Sequence, residues 1–195
     1  MHGLINKGIE RFVIDTYGQT TWLEVAGQAR LGFTEFEAML TYEPCLTDRM
    51  LATIAERLRR PREAVLEDFG TFLVASPSLP AIRRLMRFGG VTYQDFLHSL
   101  DELSDRVRLA MDDLILPQLT LIEQGQGQFR LRCKPGLEGF GHVMVGVLRA
   151  MADDYGALAV LDHHGYGEQG EEIAIAIVQD PFSEGKTFEL GVRCA

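Results

Sequence analysis

Two hydrophobic periods meet at Pro117, and that change constrains the fold more than any other feature of the chain. Before it, apolar side chains recur every three or four residues, the spacing that gives a helix one buried face. Ile5, Ile9, Phe12 and Val13 set this period in a first helix that Gly18 closes. Further helices are predicted around residues 22–29, over 34–41 with Thr34 and Glu37 in capping-box spacing, over 47–60 up to Pro61, and over 62–75. Pro77 and Pro80 then break the chain, since proline lacks the amide proton a helix interior needs. Residues 93 to about 116 carry one stripe of Phe96, Leu100, Leu103, Val107, Ala110 and Leu114.

After Pro117 the alternation is two-fold. Leu119 and Leu121 on one side of Gly-Gln-Gly, and Phe129, Leu131 and Cys133 on the other, predict a β-hairpin. A helix over 138–155 follows, then strands over 157–162 and 172–178 joined by a connection rich in glycine (Gly165, Gly167, Gly170). Helices first and then strand–strand–helix–strand–strand specify an α+β fold with an antiparallel sheet. The 195 residues make one domain, 1–195, with a helical subdomain over about 1–76 and a helix-plus-sheet subdomain over 77–195.

Composition excludes several classes of function. Lys and Arg number 19 against 28 Asp and Glu, a net charge of −9, so no nucleic-acid partner is expected, nor an anionic membrane surface. No apolar run reaches the roughly 18 residues of a membrane span, so no membrane insertion is expected. Cys45, Cys133 and Cys194 are too few for a disulfide framework and lack zinc spacing, which points to a reducing cytoplasm. No phosphate loop, nucleophile with its base, or framed carboxylate pair marks an enzyme.

Five segments in order carry a resemblance. MHGLINKGIERFVIDTYG with Trp22 just beyond, LEDFGTFLV at 66–74, DFLHSLDELSDRV at 95–107, Pro117, and CKPGLEGFGHVMVGVL at 133–148 together resemble the heme nitric oxide/oxygen-binding (H-NOX) family, the sensor domain of soluble guanylate cyclase and its bacterial relatives. The last segment aligns without gaps with the family pattern YxSxRxGLxxxVxGLL. The resemblance implies a helical subdomain packed on a sheet-containing one with a cofactor cavity between them. It also implies heme b held by one histidine, nitric oxide or oxygen sensing, and regulation of a histidine kinase or diguanylate cyclase.

The positions that would hold the heme carry other residues. Ser104 stands at the proximal histidine position, the family's LDxLH being LDELS here. Cys133, Pro135 and Leu137 stand where the family's Tyr, Ser and Arg grip the propionates, and Pro117 falls where a family proline presses on the porphyrin. A serine hydroxyl is too weak a donor to replace imidazole on ferrous iron, and proline and leucine offer no donor to a carboxylate. Ser104 shares an inward face with Leu97, Leu100, Val107 and Met111. Its hydroxyl is expected on the Leu100 carbonyl one turn back, or else on a pocket ligand.

The cavity walls that the resemblance implies are Ile5, Ile9, Leu97, Leu100, Val143 and Val147, all apolar. Hence no cofactor or metal is expected; the space is filled by side chains or takes a hydrophobic small molecule. His142, beside Val143, is the alternative iron ligand of a genuine heme gas sensor. His98 falls on a wet acidic face, His163 and His164 point opposite ways, and His2 is expected at the surface. Arg130, Arg132 and Lys134 alternate to the face opposite Cys133. Cys133 is an apolar filler or, in a thiol-based redox or interaction module, a switch; Cys194 is the more exposed thiol.

Overall fold

The computed structural model describes residues 1–167, 169–179, 182 and 184–186. Helices α1 (Gly3–Tyr17) and α2 (Gln19–Gln28) meet at Gly18, whose φ of 91° lets the chain turn between them. Helix α3 (Pro44–Leu58) begins on Pro44, three residues earlier than predicted, and α4 covers Arg62–Ala75 as predicted. Residues 34–41 form turns instead of the expected helix. Side chains satisfy the backbone there: buried Glu10 accepts the Phe36 amide at 2.7 Å, Tyr42 accepts the Glu37 amide, and Trp22 donates to the Thr34 carbonyl.

Helix α5 (Pro80–Arg87) occupies a stretch that the sequence reading treated as a break, with Pro80 in the first turn, where a missing amide costs nothing. The predicted helix over 93–116 is three pieces: α6 (Tyr93–His98), a 3-10 turn (Ser99–Glu102) and α7 (Leu103–Ala110). Arg106 stabilises the break, donating to the Ser99 carbonyl at 2.7 Å and to Leu85 of α5.

Strands β1 (Leu119–Gly125) and β2 (Gln128–Cys133) form the predicted hairpin, and α8 (Phe140–Tyr155) follows. Strands β3 (Leu158–Gly167) and β4 (Gly170–Gln179) are longer than predicted, because Gly165, Gly167 and Gly170 lie within them. Among the described residues these make an antiparallel sheet ordered β1-β2-β4-β3.

Two cores result. One unites α1–α4 around Phe12, Trp22, Phe36, Met50 and Ile54. The other unites α6, α7, α8 and the sheet around Phe96, Leu100, Leu131, Leu148 and Ile173. Helices α4 and α8 join them at two glycines. A Cβ on Gly70 would run into the Val143 carbonyl, and one on Gly146 into the Glu67 carbonyl.

Candidate functional site

The positions singled out by the sequence lie on α7, the end of β2, the turn before α8, and the faces where the two cores meet. Ser104, in the first turn of α7, is half-buried and donates to the Pro117 carbonyl at 2.8 Å. The Leu100 carbonyl expected as acceptor is not used. Leu100 lies in the 3-10 turn, and the extended chain beyond Met111 brings buried Pro117 back to α7. With its proton committed, Ser104 behaves as a satisfied core serine.

Of the positions that the resemblance assigns to propionate binding, Cys133 ends β2 fully buried, opposite Leu119 of β1 and Glu171 of β4. Burial pushes its thiol up to about 12, with the Glu171 charge adding to the shift, so it is no ready nucleophile. Pro135 is exposed and Leu137 half-buried in the turn leading to α8. Nearby guanidinium groups are engaged elsewhere. Arg132 and Arg130 both pair with Glu172 on the outer face of the sheet, at 2.7 and 3.2 Å, and hold its carboxyl below the usual range. Lys134 donates to Gln118 at 2.7 Å.

The apolar positions are packed shut. Leu97 and Leu100 are 0% exposed and Val147 and Ile9 2%, so a sphere the size of a water molecule barely touches them. Ile5, which packs against both cores, and Val143, on the N-terminal core, are half-buried. A cavity of about 120 Å³ lies elsewhere, between α4, α5 and α8, lined by Thr71, Val74, Arg83 and Asp154. It is smaller than the roughly 300–1,000 Å³ of pockets that hold cofactor-sized ligands. Neither the donors nor the packing present here fits heme b.

The histidines are distributed as follows. His2 is less exposed than expected. Its Nδ1 accepts the Leu4 amide and caps α1, while Nε2 stands 3.0 Å from Asp113, whose carboxyl this contact holds below its usual range. His98 is exposed, edge-on to Phe129. His142 stacks on His163 with ring centroids 3.9 Å apart, and its Nδ1 lies 3.5 Å from Glu67. His163 in turn meets Glu171 at 3.0 Å, while His164 points to solvent. Sequence reasoning weighed His142 and His163 separately and passed over Glu171. Only the register of β3 on β4, with His163 opposite Ile173, sets Glu171 on the same inner face. Period-two spacing from buried Ile173 and Ile175 was the available signal. Cys194 lies outside the described residues.

Comparisons with known proteins agree with this architecture. A profile of the family described as Haem-NO-binding matches residues 2–161. The Caenorhabditis elegans soluble guanylate cyclase gcy-31 is 21% identical over 154 residues, 79% of this chain and 22% of its own length. The Rattus norvegicus guanylate cyclase soluble subunit beta-2 is 24% identical over 124 residues, 60% of this chain and 18% of its own. The chain thus spans about a fifth of the length of these relatives. The S. oneidensis H-NOX protein in its Fe(II)NO ligation state superposes with a TM-score of 0.73 at 18% identity, covering 92% of this chain and 100% of that one. A mutant of the T. Tengcongensis H-NOX gives 0.74 at 13% identity, covering 92% and 98%. Matched by that profile over most of its length, and folded as those structures are, the chain belongs to the Haem-NO-binding, or H-NOX, family.

Proposed function

We propose that this chain is a regulatory H-NOX domain without its family's grip on heme, either heme-free or holding another hydrophobic small molecule, and that it acts by regulating a signalling partner. The observation that carries this reading is the Ser104 hydroxyl bonded to the Pro117 carbonyl, in a chain whose Leu97 and Leu100 are closed off from solvent. An imidazole at that position would present a nitrogen to iron; the hydroxyl closes a local hydrogen bond instead. The replaced propionate contacts support the same reading, because two buried carboxylates without donors would be costly.

Within this reading the chain's own residues supply a scaffold. Ser104 ties α7 to the segment leading into β1, and Asp101 accepts the Leu121 amide at 2.6 Å, so the 3-10 turn is tied to the sheet. Half-buried Ile5 and Val143 both pack against the N-terminal core, with Ile5 touching the other core too, and they are the least enclosed of the six apolar positions. A histidine kinase or diguanylate cyclase is the partner that family analogy suggests. The role is one of binding and regulation, not catalysis. No helix among the described residues is long and apolar enough to cross a membrane.

Hemin titration of the purified protein, with native mass spectrometry of the protein as isolated, tests the reading. We expect no sharp, saturable Soret band at one equivalent. A saturable five-coordinate spectrum, lost in His142→Ala, would establish the family's gas-sensing chemistry with a different ligand.

A further inference from the structure

We infer that His142, His163 and Glu171 form a binding site for one divalent cation of the zinc class, built into the joint between α8 and the β3–β4 hairpin. The inference is independent of the heme question. The three residues come from three elements, and one ligand atom from each lies within 4.8 Å of the other two. Two imidazole nitrogens and a carboxylate oxygen suit zinc, whose three-ligand sites leave a fourth position to water.

The spacing is already close to that of a metal site. His163 Nε2 and Glu171 Oε2 are 3.0 Å apart. Two ligands about 2.0–2.1 Å from a tetrahedral ion stand about 3.3 Å apart. The ion would occupy the place of the proton that this pair now shares. His163 Nδ1 accepts the Gly165 amide at 3.1 Å, so the ring's proton lies on Nε2, toward Glu171. Coordination through Nε2 moves that proton to Nδ1 and turns the Gly165 amide away. This is cheap, because Gly165 is exposed and falls where the β3–β4 register slips. The stacked rings of His142 and His163 pivot apart so that both point at the ion.

An outer shell is in place as well. Glu171 is buried and its carboxylate is oriented by the amides of Gly139 at 3.1 Å and Gly141 at 3.0 Å. Buried His142 Nδ1 makes no hydrogen bond, yet Glu67 stands 3.5 Å from it, itself held by Arg149 at 3.1 Å. A ligating histidine whose other nitrogen faces a carboxylate is the usual arrangement around zinc. Gly141 completes the cradle, since a Cβ there would press on both Glu171 Oε2 and His163 Nε2.

Zinc added alone to the apo protein, read by calorimetry and native mass spectrometry, tests the site. We expect one saturable equivalent. His142→Ala and His163→Ala should each weaken it at least tenfold, Glu67→Gln by about 10–100-fold, and His164→Ala and His98→Ala not at all. Cobalt in place of zinc should give the visible bands of a four-coordinate site in the wild type and lose them in His163→Ala. Circular dichroism of the variants separates lost ligation from lost fold, and His142→Ala, at a half-buried helix position, keeps the test open if His163→Ala does not fold. Absence of stoichiometric zinc in the wild type, or wild-type affinity in both His142→Ala and His163→Ala, would overturn the assignment.

Discussion

Ser104 carries the proposed reading at the scale of a single residue. Its hydroxyl proton is spent on the Pro117 carbonyl, and the ring that would reach iron is absent. Under the proposed reading an imidazole there would not be enough, because Cys133, Pro135 and Leu137, at the positions that the resemblance assigns to the propionates, offer them no strong donor. Ser104→His is therefore expected to show no stoichiometric five-coordinate heme after hemin titration; a sharp Soret band at one equivalent would refute this.

Cys133 yields a second residue-scale prediction. A thiol titrating near 9 in the unfolded chain and about 12 in the fold leaves the native state holding the proton that the unfolded chain has shed. Stability is thus unaffected below pH 9 and falls as pH rises from 9 toward 12, by at most about 1.4 kcal/mol per unit. Denaturant melts of wild type against Cys133→Ala across this range should show that extra loss in the wild type only. At pH 8 iodoacetamide should label exposed Cys45 and spare Cys133.

Between elements, α4 and α8 cross at a close backbone contact. Gly146→Ala would drive a methyl group into the Glu67 carbonyl, and the backbones would have to part. We expect a loss of about 1–3 kcal/mol, the range for overpacking a close contact, measured by chemical denaturation; an unchanged midpoint would mean that the helices are less tightly docked. How far the elements could be read from sequence depended on where their backbone groups find partners. Helix α4 and the β1–β2 hairpin follow from local periodicity and came out as expected. The segment over 34–41 did not, because buried Glu10, far away in sequence, takes the amide that a helix would have used. Helix α5 was hidden behind Pro80, which reads as a breaker but starts a helix equally well. The stripe over 93–116 is continuous in hydrophobicity, yet Arg106 binds the Ser99 carbonyl and fixes a 3-10 break that no periodicity shows. In the candidate site the departures of Ser104, Cys133, Pro135 and Leu137 from the family pattern are read from the sequence alone. The His142–His163–Glu171 grouping was not, since it depends on sheet register.

For the whole molecule, the H-NOX fold is present while Ser104, Cys133, Pro135 and Leu137 depart from the family pattern that the sequence resembles. A match over residues 2–161 and close superposition on H-NOX structures coexist with a core of α6, α7, α8 and the sheet in which Leu97, Leu100 and Val147 are buried. Interiors pack to crystal-like density, and under the proposed reading these side chains fill the space that a porphyrin would need. The most direct check is the visible absorption spectrum of the protein purified from a heme-replete host, with porphyrin and iron quantified against protein. We predict a colourless protein with no Soret band and iron far below one equivalent; a red protein carrying one heme per chain would contradict the account.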